Sequence, residues 1–282
     1  MSVGLFITHE ASDRVLRHFH RLKAQSAGLV DWHLVDNSGG GCEPSVEWSY
    51  LPASKAMPPR YKEFVRHGGL MGGYLDVAVL PLAAASDRDF VWVMEYDVDY
   101  SGDWSELFLQ FDNNRADLLT TTLVPREQSS DWYYWPTAKP PPEVESHHLY
   151  RAFHPLMRLS RRFARWYLEQ LCHRPWSGHY EYLLPTAALW GGFRVEDIGG
   201  DGPLCPENRK GRNYQNTPNH ENLTPGTFVF RPARERYFHE SPEEFASSAT
   251  LYHPVKPGTA LWKMPRASLI NRGRAWLERK LS

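Results

Sequence analysis

Apolar residues recur along the first 125 positions in short blocks, and their spacing predicts strands that alternate with helices. Residues 3–8 and 32–36 are short apolar runs of the kind that forms buried strands. Between them, Ser12 can serve as the N-cap of a helix. The apolar positions of that helix are Val15, Leu16, Phe19 and Leu22.

The same alternation continues towards the middle of the chain. Residues 74–85 have helical periodicity, although Pro81 should kink or end that helix. Residues 90–94 and 116–124 are apolar, β-rich runs that predict two further buried strands. Strand–helix alternation of this kind favours an α/β fold with a largely parallel sheet.

The second half of the chain is less regular. Residues 125–150 are loop-like, and residues 155–172 predict a strongly basic helix. Residues 199–226 are rich in Gly, Pro and Asn, which predicts a long loop or lid. Residues 227–230 predict another strand, and the tail from Pro265 mixes basic and apolar residues.

A cluster of acidic residues, the acidic burst, directly follows the strand predicted at 90–94. If extended geometry continued there, Glu95, Asp97 and Asp99 would point to one side, because strand side chains alternate. Three carboxylates repel one another unless a cation lies among them, and oxygen ligands suit Mg²⁺ or Mn²⁺. Ligands of α/β sheets bind beyond the carboxyl ends of strands, where Asp36 also lies.

Two other interpretations of the acidic burst compete with this one. Residues 97–102 fit the first six positions of an EF-hand calcium loop, including its glycine. The twelfth position, however, is Phe108 where a bidentate Glu is needed, and the preceding segment predicts a strand instead of a helix. The plainer alternative is a strand end whose carboxylates pair with arginines.

Composition limits the classes of function. The 282 residues suffice for one large domain or two small ones. Because 32 Lys and Arg nearly balance 33 Asp and Glu, a bulk nucleic-acid-binding surface is not expected. Three widely spaced cysteines argue against a disulfide framework or zinc site. With neither a signal-peptide pattern nor a membrane-spanning apolar stretch, we expect a cytoplasmic protein.

The segment Asp97-Val98-Asp99 after an apolar strand resembles the Asp-x-Asp motif of glycosyltransferases with the GT-A fold. The pattern Glu-x-Asp-Val-x-Tyr-x-Gly-x-Trp, with His-Pro-Val-Lys at 253–256, is also similar to a poorly characterised glycosyltransferase-like family. The resemblance implies a single GT-A-like (Rossmann-like) α/β domain with a mostly parallel mixed sheet flanked by helices. It implies that Asp97 and Asp99 bind Mn²⁺ or Mg²⁺ against a nucleotide diphosphate sugar, with Asp97 also contacting the nucleotide.

The same resemblance gives roles to four further residues. Glu181 corresponds to the carboxylate at a helix start that serves as the base of inverting members; an ordinary helix-start Glu is the alternative. His253 corresponds to a histidine near the C-terminus that joins the metal or the diphosphate, and Lys256 is available to a phosphate. Asp36 is expected to contact the donor's base or ribose, unless it merely caps the turn at 37–38.

The resulting prediction is a metal-dependent, inverting glycosyltransferase that moves a sugar to a glycan, lipid-linked or other hydroxyl acceptor. Residues 1–125 would form its nucleotide-sugar-binding half, and residues 126–282 its acceptor-binding half with a basic C-terminal helix. A non-catalytic calcium- or glycan-binding module and a metal-dependent nucleotidyltransferase are the alternatives. Binding of the basic helices to anionic lipid would place the protein at the inner face of the membrane; a solvated helix face is the preferred interpretation.

Overall fold

A computed structural model describes residues 1–9, 12–36, 73–216, 226–228 and 247–255. Their strands are β1 (Ser2–Thr8), β2 (Val30–Asp36), β3 (Phe90–Glu95), β4 (Asp99–Tyr100), β5 (Leu118–Pro125), β6 (Tyr150–Ser160), β7 (Val195–Asp197) and β8 (Leu251–Tyr252). Their α-helices are α1 (Asp13–Gln25), α2 (Leu75–Ala85), α3 (Trp104–Leu109), α4 (Arg161–His173) and α5 (Tyr180–Trp190). Short 3-10 turns lie between β5 and β6 at Arg126–Gln128, Trp135–Thr137 and Ser146–His148.

The six longer strands form one mixed sheet in the order β2-β1-β3-β6-β5-β7. Strand β1 pairs in parallel with β2 and β3, and β5 pairs in parallel with β7. Strand β6 runs antiparallel to both of its neighbours, β3 and β5. The described residues therefore form a single Rossmann-like α/β domain with a mostly parallel mixed sheet and flanking helices, as predicted. Strands β4 and β8 make a separate two-stranded sheet.

Alternation along the strands creates two apolar layers, one on each face of the sheet. Leu5 and Ile7 of β1 belong to the layer that α2, α4 and α5 cover. Phe6 belongs to the opposite layer, under α1 and α3. At Gly4 a Cβ would lie 2.4 Å from the indole of Trp32, so glycine allows β1 and β2 to pack this closely.

The helix predicted after Ser12 is confirmed, and its cap is formed by the side chain of Ser12, which accepts from the amide of Val15 at 3.4 Å. The helix predicted at 74–85 does not end at Pro81, because α2 continues to Ala85. Its buried residues pack between β-strands and α4, and this packing outweighs the hydrogen bond that a proline cannot donate.

The basic helix predicted at 155–172 is wrong in its first part, because residues 155–160 belong to β6. Leu156 pairs with Met94 of β3 there, and the helix begins only after Ser160. Side-chain burial does not distinguish a buried strand from a helix over so short a run, whereas two neighbouring strands satisfy the backbone of β6. Arg158, which this prediction puts on the helix, therefore lies in the sheet, and Arg151 also belongs to β6.

The arginines that do lie on α4 are held by other parts of the protein. Arg162 pairs with Asp117, and Arg165 donates to the carbonyl of Ala84 at 2.8 Å. Within the described part of the chain, no helix is both long and apolar enough to cross a bilayer.

Several predicted features fall outside the described residues. They are the loop at 37–41, residues 217–225 of the predicted lid, the end of the strand predicted at 227–230, Lys256 and the basic tail from Pro265. The described portion of the predicted lid, residues 199–216, contains no regular helix or strand, as its composition indicates.

Candidate functional site

The acidic segment changes direction at the end of β3. The strand ends at Glu95, and the amide of Val98 donates to the carbonyl of Glu95 at 3.1 Å, which closes a turn. Strand β4 then begins at Asp99 in the small sheet. Side chains of 95, 97 and 99 therefore do not follow the alternation of one continuous strand.

A segment from late in the chain is brought to this turn by β8. Tyr252 pairs with Asp99 in the antiparallel β4–β8 sheet, and the amide of Val255 donates to the carbonyl of Asp97 at 2.8 Å. The amide of His253 is bound by the carbonyl of Thr227 at 2.9 Å. These backbone bonds place the imidazole of His253 beside the carboxylate of Asp97.

Glu95, Asp97 and His253 form a set of side chains that could hold a metal ion, and we call them the acidic triad. One ligand atom from each lies within 4.8 Å of the others, and His253 Nε2 is 3.6 Å from Asp97 Oδ2. Asp97 is buried, with 2% of its surface exposed. Two carboxylates and an imidazole form a donor set that fits Mn²⁺, and the carboxylates also fit Mg²⁺.

Asp99 does not lie in the acidic triad, where the sequence analysis expects it with Asp97. Its carboxylate is buried against the guanidinium of Arg21 on α1 and accepts from its neighbour, the amide of Tyr100, at 2.6 Å. His18 Nδ1 lies 3.9 Å from Asp99 Oδ2. Burial lowers the pKa of the His18 imidazole, and the charge of Asp99 opposes that shift. Because the chain turns after Glu95, Glu95 joins Asp97 and His253 in the triad, whereas Asp99 faces α1.

Glu181 lies at the start of α5, as predicted, and only 5% of its surface is exposed. His179 caps the helix, because its Nδ1 accepts from the amide of Glu181 at 3.3 Å. Burial raises the pKa of the Glu181 carboxyl well above its usual range; the nearby Arg151 opposes that shift and Glu95 adds to it. The expected effect of the helix N-terminus, which favours the ionised form, is therefore outweighed by desolvation.

Tyr180 connects Glu181's helix to the acidic triad. Its side chain hydrogen-bonds the carboxylate of Glu95. Burial, then the charges of Glu95, Glu181 and Asp76, raise the pKa of the Tyr180 phenol well above its usual range. The hydroxyl therefore stays protonated and donates a hydrogen bond to the Glu95 carboxylate.

Sequence reasoning missed two residues of this site. Tyr180 precedes Glu181 in a helix start where an aromatic residue is an ordinary choice, so no pattern singles it out. Arg151 lies in β6, and this position brings it within electrostatic reach of Glu181 and Asp131. An arginine flanked by apolar residues in a buried strand would have been the available signal.

The remaining predicted site residues are placed only in part. Asp36 is the last residue of β2, and it pairs with Thr8 at the end of β1 where the carboxyl ends of the parallel strands meet. Lys256 lies outside the described residues, directly after Val255.

Comparison with known proteins gives no family. No protein-family model matches the chain, and no curated protein sequence matches it significantly. Among solved structures, bifunctional IspDF from Campylobacter jejuni has a TM-score of 0.33 and 12% identity, over 75% of this chain and 52% of that one. The CMP:2-keto-3-deoxy-manno-octonic acid synthetase complexed with CTP has a TM-score of 0.33 and 11% identity, over 74% and 94%. The chain thus spans about half the length of the first protein. TM-scores of 0.33 are too low to support any statement about function.

Proposed function

We propose that the chain is a metal-dependent glycosyltransferase that moves a sugar from a nucleotide diphosphate sugar to a hydroxyl acceptor. The observation that supports it best is the acidic triad at the end of β3, within electrostatic reach of a second buried carboxylate on α5. Binding at the carboxyl end of sheet strands is the usual place for a nucleotide in an α/β fold.

The acidic triad would hold the cation, with Glu95 and Asp97 supplying carboxylate oxygens and His253 an imidazole nitrogen. Bound there, a divalent cation offsets negative charge on the departing nucleotide diphosphate. Tyr180 would orient Glu95 through its hydrogen bond, and the backbone of Val255 would fix the turn that carries Asp97. Asp99 would stabilise this turn through its ion pair with Arg21 on α1.

Glu181 would take the proton of the acceptor hydroxyl as that oxygen attacks the sugar. The base must be ionised for this step, and Arg151 favours the ionised carboxylate whereas Glu95 disfavours it. We assign Asp36 to the donor's base or ribose because it ends β2, which lies one strand beyond β1 from β3 in the same sheet. Lys256 would contact a phosphate, since its neighbour Val255 is bonded to the backbone of Asp97.

A direct test measures binding of nucleoside diphosphates by calorimetry with and without Mn²⁺. Asp97→Asn should abolish the Mn²⁺-dependent part of binding, whereas Asp112→Asn, at an exposed position after α3, should leave it unchanged. Glu181→Gln should keep binding and lose turnover, a separation that a non-catalytic binding module cannot show. Mn²⁺-dependent binding that survives Asp97→Asn would refute the proposed metal site.

Product analysis separates the two enzymatic possibilities. A glycosyltransferase releases a nucleoside diphosphate from its donor, whereas a nucleotidyltransferase that joins a nucleoside triphosphate to a sugar phosphate releases pyrophosphate. Incubation with nucleotide sugars and with nucleoside triphosphates, followed by chromatography, should yield the diphosphate. Pyrophosphate as the product would replace this proposal with the nucleotidyltransferase.

A further inference from the structure

A cavity lies at the end of the β4–β8 sheet that is farther from His253. Tyr100 pairs with Leu251 at that end, and Ala249 closes one side. The cavity has a volume of about 580 Å³, which falls within the range of small-molecule sites. Its polar lining residues are Tyr100, Gln110, Asn208, Arg209, Arg212 and Asn213.

The floor of the cavity is held in place by hydrogen bonds. The buried side-chain amide of Asn213 donates to Gln110 Oε1 at 3.1 Å and to the carbonyl of Ile198 at 2.8 Å. The carbonyl of Asn213 also accepts from the amide of Leu251 at 2.7 Å. Three separate parts of the chain therefore meet at one residue, so the floor is preformed and not merely a gap between loops.

The charged residues of the lining are Arg209 and Arg212. The guanidinium of Arg209 lies over the ring of Phe111, and its Nη2 is 2.5 Å from Glu196 Oε2. Glu196 is shared with Arg194, so one carboxylate balances two guanidinium groups. Among the described residues, no carboxylate lies within ion-pair distance of Arg212, and no lining residue is acidic.

The other polar residues of the lining are neutral. Burial, followed by the nearby carboxylates of Glu106 and Asp103, raises the pKa of Tyr100, so this side chain remains an uncharged phenol. Gln110 and Asn208 add amide groups, which both donate and accept hydrogen bonds. Such groups match the hydroxyls of a sugar, while guanidinium groups match a phosphate or carboxylate.

We infer that this cavity binds a polyhydroxylated anion, a carbohydrate that carries a phosphate or a carboxylate group. The anionic group lies against Arg209 and Arg212, and the hydroxyls face Gln110 and Asn208. No lining residue belongs to the acidic triad, so this site stands or falls independently of the proposed transferase activity.

The test uses calorimetry without metal and four probes: glucose 6-phosphate, glucuronate, glucose and inorganic phosphate. Glucose 6-phosphate or glucuronate should bind at least about tenfold more tightly than glucose or phosphate alone, because charged and neutral contacts are both needed. The stronger of the two anionic sugars identifies whether phosphate or carboxylate is preferred. Equal binding of glucose, equal binding of inorganic phosphate, or no binding of any probe would overturn the inference.

Three variants locate the binding. Arg212→Gln removes an exposed charge and should weaken the anionic sugar about tenfold or more. Asn208→Asp places a negative charge in the lining and should weaken it at least as much. Arg88→Gln, an exposed arginine beside β3, is the matched control and should bind like the unaltered protein. Because all three positions are exposed, melting temperatures should agree; unchanged affinity in both cavity variants contradicts the site.

Discussion

Asp97 Oδ2 lies 3.6 Å from His253 Nε2, and this contact joins the end of β3 to a segment near the C-terminal end of the described chain. Both side chains are largely buried, so each is positioned by packing before any ion arrives. The imidazole edge also packs against the ring of Phe153, with 5.0 Å between centroids. The pair is therefore a preformed part of a binding site, and it leads to the first prediction.

His253→Ala should weaken Mn²⁺ more than Mg²⁺, because imidazole is a better ligand for Mn²⁺ than for Mg²⁺. We expect a loss of at least about tenfold in Mn²⁺ affinity, of the size seen when a metal site is disturbed. Electron paramagnetic resonance of free Mn²⁺ measures it. His20→Ala, on the exposed face of α1, is the control, and equal Mn²⁺ affinity in the two variants would contradict the role of His253.

Tyr180→Phe should lower the affinity for Mn²⁺ by about tenfold, because it removes the hydrogen bond that orients Glu95. Tyr167→Phe is a matched control, since Tyr167 is also buried and donates to a carboxylate, Asp76 Oδ2, at 3.2 Å. Both variants lose one buried hydroxyl, and their stabilities should fall by similar amounts. An equal loss of metal affinity in both would mean that Tyr180 acts only through stability.

Asp99→Asn should act mainly on stability. The substitution removes the charge that pairs with Arg21 inside a largely buried contact, and a charge-assisted hydrogen bond is worth about 2 kcal/mol. Urea denaturation should show that loss, while Asp97→Asn should change stability less and metal binding more. Loss of Mn²⁺ binding by folded Asp99→Asn protein would restore Asp99 as a ligand, as the Asp-x-Asp pattern predicts.

The buried His154 predicts a loss of stability in acid. Burial lowers its pKa to about 3 in the folded protein, whereas an unfolded histidine has the ordinary value of 6.5. Between these values only the unfolded chain takes up the proton, so stability is complete above pH 6.5 and falls with pH. The decrease is about 1.4 kcal/mol per pH unit, or roughly 2 kcal/mol at pH 5.

His154→Asn tests this linkage because asparagine does not titrate and can keep the hydrogen bond that Nδ1 makes with Thr120 Oγ1 at 2.6 Å. The free energy of unfolding, measured from pH 8 to pH 5, should fall less steeply in the variant. Below pH 6.5 the difference between the two slopes should correspond to the uptake of nearly one proton on unfolding. Parallel slopes for His154→Asn and the unaltered protein would show that folding does not lower the pKa of His154.

The local pattern of apolar residues was sufficient for much of the fold. Short, continuous apolar runs and a capped amphipathic helix identify β1, α1, β2 and β3, because these elements bury one or both faces in a regular order. The same reasoning failed at residues 155–160. The side chains alone allow a helix there, but pairing with β3 and β5 on either side makes this segment a strand.

The residues of the candidate site also fall into two groups, those that the sequence indicates and those that only the folded chain brings together. The Asp-x-Asp pattern and the resemblance it carries point to Asp97, His253 and Glu181, and the structure places Asp97 and His253 together and Glu181 at the start of α5. The choice between Glu95 and Asp99 was not visible. Alternation of side chains holds only while the backbone stays extended, and the turn after Glu95 ends it. Arg21 on α1 then binds Asp99, and this contact between distant segments arises only when the chain is folded.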